Sequence, residues 1–85
     1  EVIEMYFKNI EDTRHDSDYT QEQVAQMLNC KREVYPRWEK GIREIPVWAL
    51  LKLADIYQVN TDYLLGRTKL KTPYPKDHSL VQQGR

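Results

Sequence analysis

Cysteine, histidine and glycine are scarce in this chain: one, two and three respectively among 85 residues. A lone thiol closes no internal disulfide, so the fold must hold by packing, and a reducing cytoplasm is the expected compartment. Cys30 has no companion at metal-ligand spacing and reads as a small packing residue. His15 and His78 stand apart, with no nucleophile–base pattern and no glycine-rich phosphate loop; no catalytic residue, metal or cofactor is expected, and the chain does not read as an enzyme. No apolar run approaches the roughly 20 residues that cross a bilayer, and no signal peptide opens the chain. It starts at Glu1, not at a methionine, as a trimmed chain would. There are no internal repeats. Net charge is absent too, since 13 Lys and Arg balance 13 Asp and Glu.

What the chain does have is a strong pattern over residues 20–46, TQEQVAQMLNCKREVYPRWEKGIREIP. It reads as two short helices joined by a tight turn. Thr20 is a good N-cap, and Gln23 three residues on completes a capping box. Val24, Ala25 and Leu28 then share one face at helical spacing. Asn29 opens the turn Asn29-Cys30-Lys31, where a left-handed residue is needed and Asn is better tolerated than most. The second helix is expected from near Arg32 to before Gly41, a C′ glycine. Its phase turns Tyr35, Trp38 and Glu39 inward and Arg32, Glu33, Pro36, Arg37 and Lys40 outward. A rigid helix pair with an outward basic face suits the DNA major groove, which is wide enough for a helix and where an arginine fork bonds two acceptors on guanine. The competing reading of those charges is a merely solvated helix face.

The flanks agree with one small helical domain. A first helix is expected from about Val2 to His15, with Phe7 and Ile10 inward, ending in Asp16-Ser17-Asp18. Tyr19 would pack beside the next N-cap as a staple residue. Ile45-Pro46 is expected to start a fourth helix, proline being tolerated in a first turn. Val47, Leu50, Leu51, Leu53, Ala54 and Tyr57 would give it apolar faces. Asn60 would cap a short fifth helix, Thr61 to Leu65, stopped by Gly66. The domain is thus placed at residues 1–66, with the helix-turn-helix motif at about 20–40. Residues 67–85, with Pro73 and Pro75 around Tyr74, read as a flexible basic tail.

Three segments, YTQEQVAQMLNC, VYPRWEKGIREIP and LLKLADIYQVNTDYLLG, occur in order and at separations that resemble the lambda-repressor-like (Cro/C1, XRE-type) helix-turn-helix domain, over about Tyr6 to Gly66. The resemblance implies an all-α, compact five-helix DNA-binding domain. It assigns Gln21 to a phosphate contact aided by the helix dipole. Lys31, Arg32, Glu33 and Arg37 would take positions that reach base edges or flanking phosphates. Lys40 and Arg43 would sit with Gly41 in a loop that follows the DNA backbone. Ala25 would be the small residue where the two motif helices cross, with Tyr35 and Trp38 filling the buried positions of the second. Arg14 and Glu39 would form a structural ion pair, partly buried.

This chain departs from that pattern at several places. Pro36, about five residues into the expected recognition helix, would cost ~3 kcal/mol in a helix interior, so its removal is expected to raise thermal stability. Glu33 is acidic at a DNA-facing position, where it would repel phosphate but could accept from cytosine N4. Gln58 stands where glycine is often seen after the fourth helix, and Thr13 and His15 replace residues that are commonly apolar.

The zero net charge hides a segregation of sign. Residues 1–30 carry two basic and seven acidic side chains, residues 31–44 five and three, residues 45–66 one and two, and residues 67–85 five and one. Non-specific DNA affinity should therefore be weak and salt-sensitive. The leading functional expectation is a sequence-specific transcriptional regulator, a repressor binding double-stranded DNA as a homodimer on a palindromic operator, with no membrane contact. Two alternatives are an antitoxin or restriction–modification controller that also binds a protein partner, and a protein-interaction module of the same fold without DNA binding.

Overall fold

The computed structural model describes residues 6–75. Among them the expected all-α architecture is present as five helices: α1 (Lys8–Asp16), α2 (Gln21–Met27), α3 (Tyr35–Glu39), α4 (Val47–Tyr57) and α5 (Thr61–Leu64). α2 packs on α3, while α5 packs against both α1 and α4. The core forms where these meet, from Ile10, Val24, Ala25, Leu28, Tyr35, Ala49, Leu53 and Leu64, each at most 1% exposed. Each buried Leu or Ile contributes about 1.5–3 kcal/mol relative to exposure.

Helix starts follow local chemistry. Thr20 accepts from the Gln23 backbone N–H at 3.1 Å, and the Gln23 side chain returns to the Thr20 N–H at 2.8 Å, closing the capping box. Asn60 caps α5, its side-chain oxygen accepting from Tyr63 N–H at 2.6 Å. α1 begins later than the expected Val2, which lies outside the described residues; Phe7 is its extended N-cap, with φ −117° and ψ 102°. α4 begins at Val47 instead of at Ile45, because Pro46 takes the extended N-cap conformation.

All five helices end in the same way. After each, one residue turns left-handed: Asp18 (φ 61°), Asn29 (59°), Gly41 (78°), Gln58 (56°) and Gly66 (83°). The following N–H then reaches back five residues to a carbonyl in the last turn of its helix, as in Tyr19 to Arg14, Cys30 to Ala25, Ile42 to Arg37, Val59 to Ala54 and Arg67 to Asp62. These are Schellman motifs, which satisfy carbonyls that a helix end would leave unbonded. With so few glycines, three of the five positions fall to Asp, Asn and Gln. Gln58 partly offsets its strain with an amide bond to Asp55 O at 2.7 Å.

The segment after α5, expected to begin a flexible tail, is tethered to the domain in its described part. Buried Asn60 donates to Leu70 O at 2.8 Å and to Thr72 O at 2.9 Å, and Tyr74 Oη donates to Asp62 Oδ2 at 2.9 Å. Lys71 sits 5.5 Å from the Tyr63 ring centroid. His78 and the rest of residues 76–85 lie outside the described residues.

Candidate nucleic-acid interface

The second motif helix is shorter than its expected span. Residues 32–34 form a turn, with Val34 N–H bonded to Lys31 O at 3.0 Å, and α3 starts only at Tyr35. Lys31, Arg32 and Glu33 therefore stand on the approach to α3, not on it. The later start also accounts for Pro36. It lies in the first turn, where its missing N–H would have had no intrahelical partner, so the interior-proline cost does not apply and its removal brings no expected stability gain.

Behind α3 lies a fully bonded carboxylate. Glu39 is 2% exposed. Its Oε2 accepts from Arg14 Nε at 2.7 Å and from Tyr35 Oη at 2.8 Å. Its Oε1 accepts from Arg14 Nη2 at 3.0 Å and from Gln21 Nε2 at 2.7 Å. Four donors match the roughly four lone-pair sites of a carboxylate, and the arginine fork is bidentate. Arg14 Nη1 also donates to Tyr19 O at 2.9 Å. One side chain thus ties the end of α1, the start of α2 and the inner face of α3 together. Burial alone would raise the Glu39 carboxyl, but the bonds from Arg14, Gln21 and Tyr35 outweigh it and hold the group below the ordinary glutamate range. The bond to Glu39 raises Arg14. Burial pushes the Tyr57 phenol up to about 12.

In front of α3 the charges are free. Arg37 on the helix, Lys40 at its C-cap, Arg43 in the following loop and Lys31 before it are all exposed, and none has an ion-pair partner among the described residues. Arg32 is exposed and reaches Glu22 only at 3.8 Å, a weak surface pair. Exposed Glu33 adds the one negative charge on the approach to α3. Gln21 stands apart from this set: it is half-buried at the first position of α2 with its amide committed to Glu39. The sequence held a signal for the Tyr35–Glu39 bond, since the two residues are four apart on one helix face, but nothing in it linked Gln21 to them. Trp38, expected to fill a buried position, is half-buried, with its ring edge-on to Trp48 at 5.9 Å between centroids. Cys30 is half-buried in the turn, and burial raises its thiol, as suits a packing residue.

α4 departs most from expectation. Ala49, Leu53 and Ala54 are buried, but Val47 is 71%, Trp48 50% and Leu51 54% exposed. Only one side of this helix meets the core.

A family description, helix-turn-helix, matches residues 10–64. Among curated proteins of Bacillus subtilis (strain 168), the chain is similar to the HTH-type transcriptional regulator ImmR, 35% identical over 74% of this chain and 50% of that protein. It is also similar to the HTH-type transcriptional regulator AnsR, 29% identical over 85% of this chain and 62% of that protein. A third is the SPbeta prophage-derived uncharacterized HTH-type transcriptional regulator YonR, 33% identical over 75% and 59%. The chain spans about half to three-fifths of the length of these relatives. No solved structure matches it.

Proposed function

The chain belongs to the Cro/C1-type helix-turn-helix family, whose members here are transcriptional regulators and not enzymes, and from that premise we propose that it reads double-stranded DNA through α3 and represses transcription as a homodimer on a palindromic operator. The observation that carries this reading is the set of unpaired cations Lys31, Arg37, Lys40 and Arg43 in front of a helix whose back is anchored at Glu39. A groove reader needs both parts, because donors discriminate between bases only if the helix carrying them does not wander.

In this reading Arg37 reaches a base edge, Lys40 and Arg43 hold phosphates along the loop after α3, and Lys31, Arg32 and Glu33 meet flanking bases or backbone. Gln21 meets a phosphate with the free hydrogen of its amide while the other stays on Glu39. Repression follows from occupying an operator that overlaps a promoter. Half-sites lie about one helical turn apart. The chain works without a cofactor and in the cytoplasm.

Selection of bound duplexes from a random pool by the purified protein tests the proposal. A recovered two-fold-symmetric site, bound less tightly as salt rises, is the expected result. Indifference to every duplex in dilute buffer would leave a protein-binding module of the same fold. On the recovered site, Arg37→Ala is expected to cost about 1–3 kcal/mol and to relax choice at one position per half-site. An equal, uniform loss on all sequences would assign Arg37 to phosphate instead.

A further inference from the structure

Where the segment after α5 passes the start of α1, the two border a cleft of about 540 Å³. Small-molecule sites run from roughly 300 to 1,000 Å³. The lining combines half-buried Phe7, Tyr63 and Leu65 with exposed Lys8, Lys69 and Lys71, and it includes no carboxylate. Lys8 is bonded to Asp12 at 2.7 Å, and Lys71 lies 5.5 Å from the Tyr63 ring centroid. Lys69 has no ion-pair partner among the described residues.

Both walls of the cleft are fixed to α5. On one side Asn9 Nδ2 donates to Tyr63 O at 2.8 Å, which ties the first turn of α1 to that helix. On the other side the Asn60 amide donates to Leu70 O and Thr72 O, one on either side of Lys71, while its oxygen caps α5. Asn60 is 3% exposed, so this latch is part of the interior. The Leu70 N–H also donates to Thr68 Oγ1 at 3.1 Å, closing a turn around Lys69. Groups held in place beforehand bind more tightly than groups that must first be ordered.

We propose that this cleft binds a small organic anion, an acidic group carried on a flat apolar body. The flat part lies against Phe7, Tyr63 and Leu65, and the charge meets Lys69 and Lys71. An uncharged apolar ligand would leave the two ammonium groups unused. A bare inorganic anion would make only exposed contacts, which salt screens and which contribute little. Neither α2 nor α3 nor the loop carrying Arg43 supplies a lining residue, so the site is distinct from the surface assigned to DNA. The proposal therefore goes beyond the DNA-reading role and does not depend on it.

The probe is anilinonaphthalene sulfonate, aromatic rings bearing one sulfonate, titrated by fluorescence into the full chain without DNA. One molecule should bind per chain. Lys69→Gln/Lys71→Gln should weaken that binding about 10-fold, with thermal stability unchanged because both side chains are exposed. Phenylnaphthylamine, the same skeleton without the sulfonate, should bind the unaltered protein about 10-fold more weakly and should not distinguish the double variant. Leu51→Ser, on the exposed side of α4, should leave dye binding as it is. Equal dye affinity in the lysine double variant, or equal affinity for the uncharged analogue, overturns the proposal. Loss of the dye in Leu51→Ser places it on α4 and overturns the proposal too. So does binding that emerges only in Glu1→Gln/Glu4→Gln, since the lysines would then be answered by the acidic start of the chain itself. No duplex enters the titration, so its result stands whether or not the chain reads DNA.

Discussion

Two regions of this small domain break the ordinary partition of residues in opposite ways. Behind α3 a glutamate and an arginine are buried, and every acceptor site of the carboxylate is occupied from within the chain. On the outer side of α4 Val47 and Leu51 lie open, and Trp48 is half-exposed beside Trp38. The first anomaly is compensated internally, so its role is to position: it locks α1, α2 and α3 at one point. The second has no comparable set of contacts within the described chain.

The sharpest way to break the first region is to remove one member of the pair. Glu39→Ala leaves the Arg14 guanidinium buried without its carboxylate, and chemical denaturation should record a loss of about 3–5 kcal/mol. A loss below about 1 kcal/mol would mean that water reaches Arg14 freely. Next in size is a contrast within α4. Leu53→Ala should cost about 2–5 kcal/mol, since Leu53 is fully buried, whereas Leu51→Ala should stay within about 0.5 kcal/mol in the monomer. Equal losses would erase the distinction between the two sides of that helix.

Acid should weaken the buried region selectively. The folded Glu39 carboxyl titrates below its unfolded counterpart, so its contribution is fully present above the unfolded value and is lost as pH falls through the lowered folded one. Denaturation midpoints measured down through the acid range should fall more steeply for the unaltered protein than for Glu39→Gln, which has no proton to take up there. Parallel curves would assign the acid sensitivity to other carboxylates. The smallest effect concerns a helix end away from both regions. Gln58→Gly should raise stability by about 0.5–1 kcal/mol, because a left-handed residue with a Cβ is strained at φ 56°; a drop would show that the Gln58 amide bond to Asp55 O outweighs that strain.

Much of the fold was legible before any coordinates. Thr20 and Gln23 announced the start of α2, Asn29 and Gly41 its turn and the end of α3, and Asn60 and Gly66 the limits of α5, since capping chemistry is local and needs only a few neighbouring residues. Less legible were features set by distant partners. Helical phase placed Tyr35 and Glu39 inward, yet the arrival of the Gln21 amide at the same carboxylate depends on how α2 crosses α3. The start of α3 at Tyr35, three residues beyond the expected Arg32, moved Arg32 and Glu33 off the helix and removed the apparent cost of Pro36. Asp18 gave no sign of its left-handed conformation, because Asp is equally at home in an ordinary polar turn.

The sequence by itself determined that this chain forms short capped helices in a fixed order, with a basic segment after the turn at Asn29, because hydrogen bonds at helix ends and apolar periodicity act over a few residues. Only the tertiary structure decided which apolar residues of α4 were interior. Lys52 and Asp55 mark its outer side, but Val47, Trp48 and Leu51 lie on that side too, so apolar character alone does not separate core from surface. Leu53 and not Leu51 is in the core because that side of α4 meets the rest of the domain, a contact between segments that local rules cannot see.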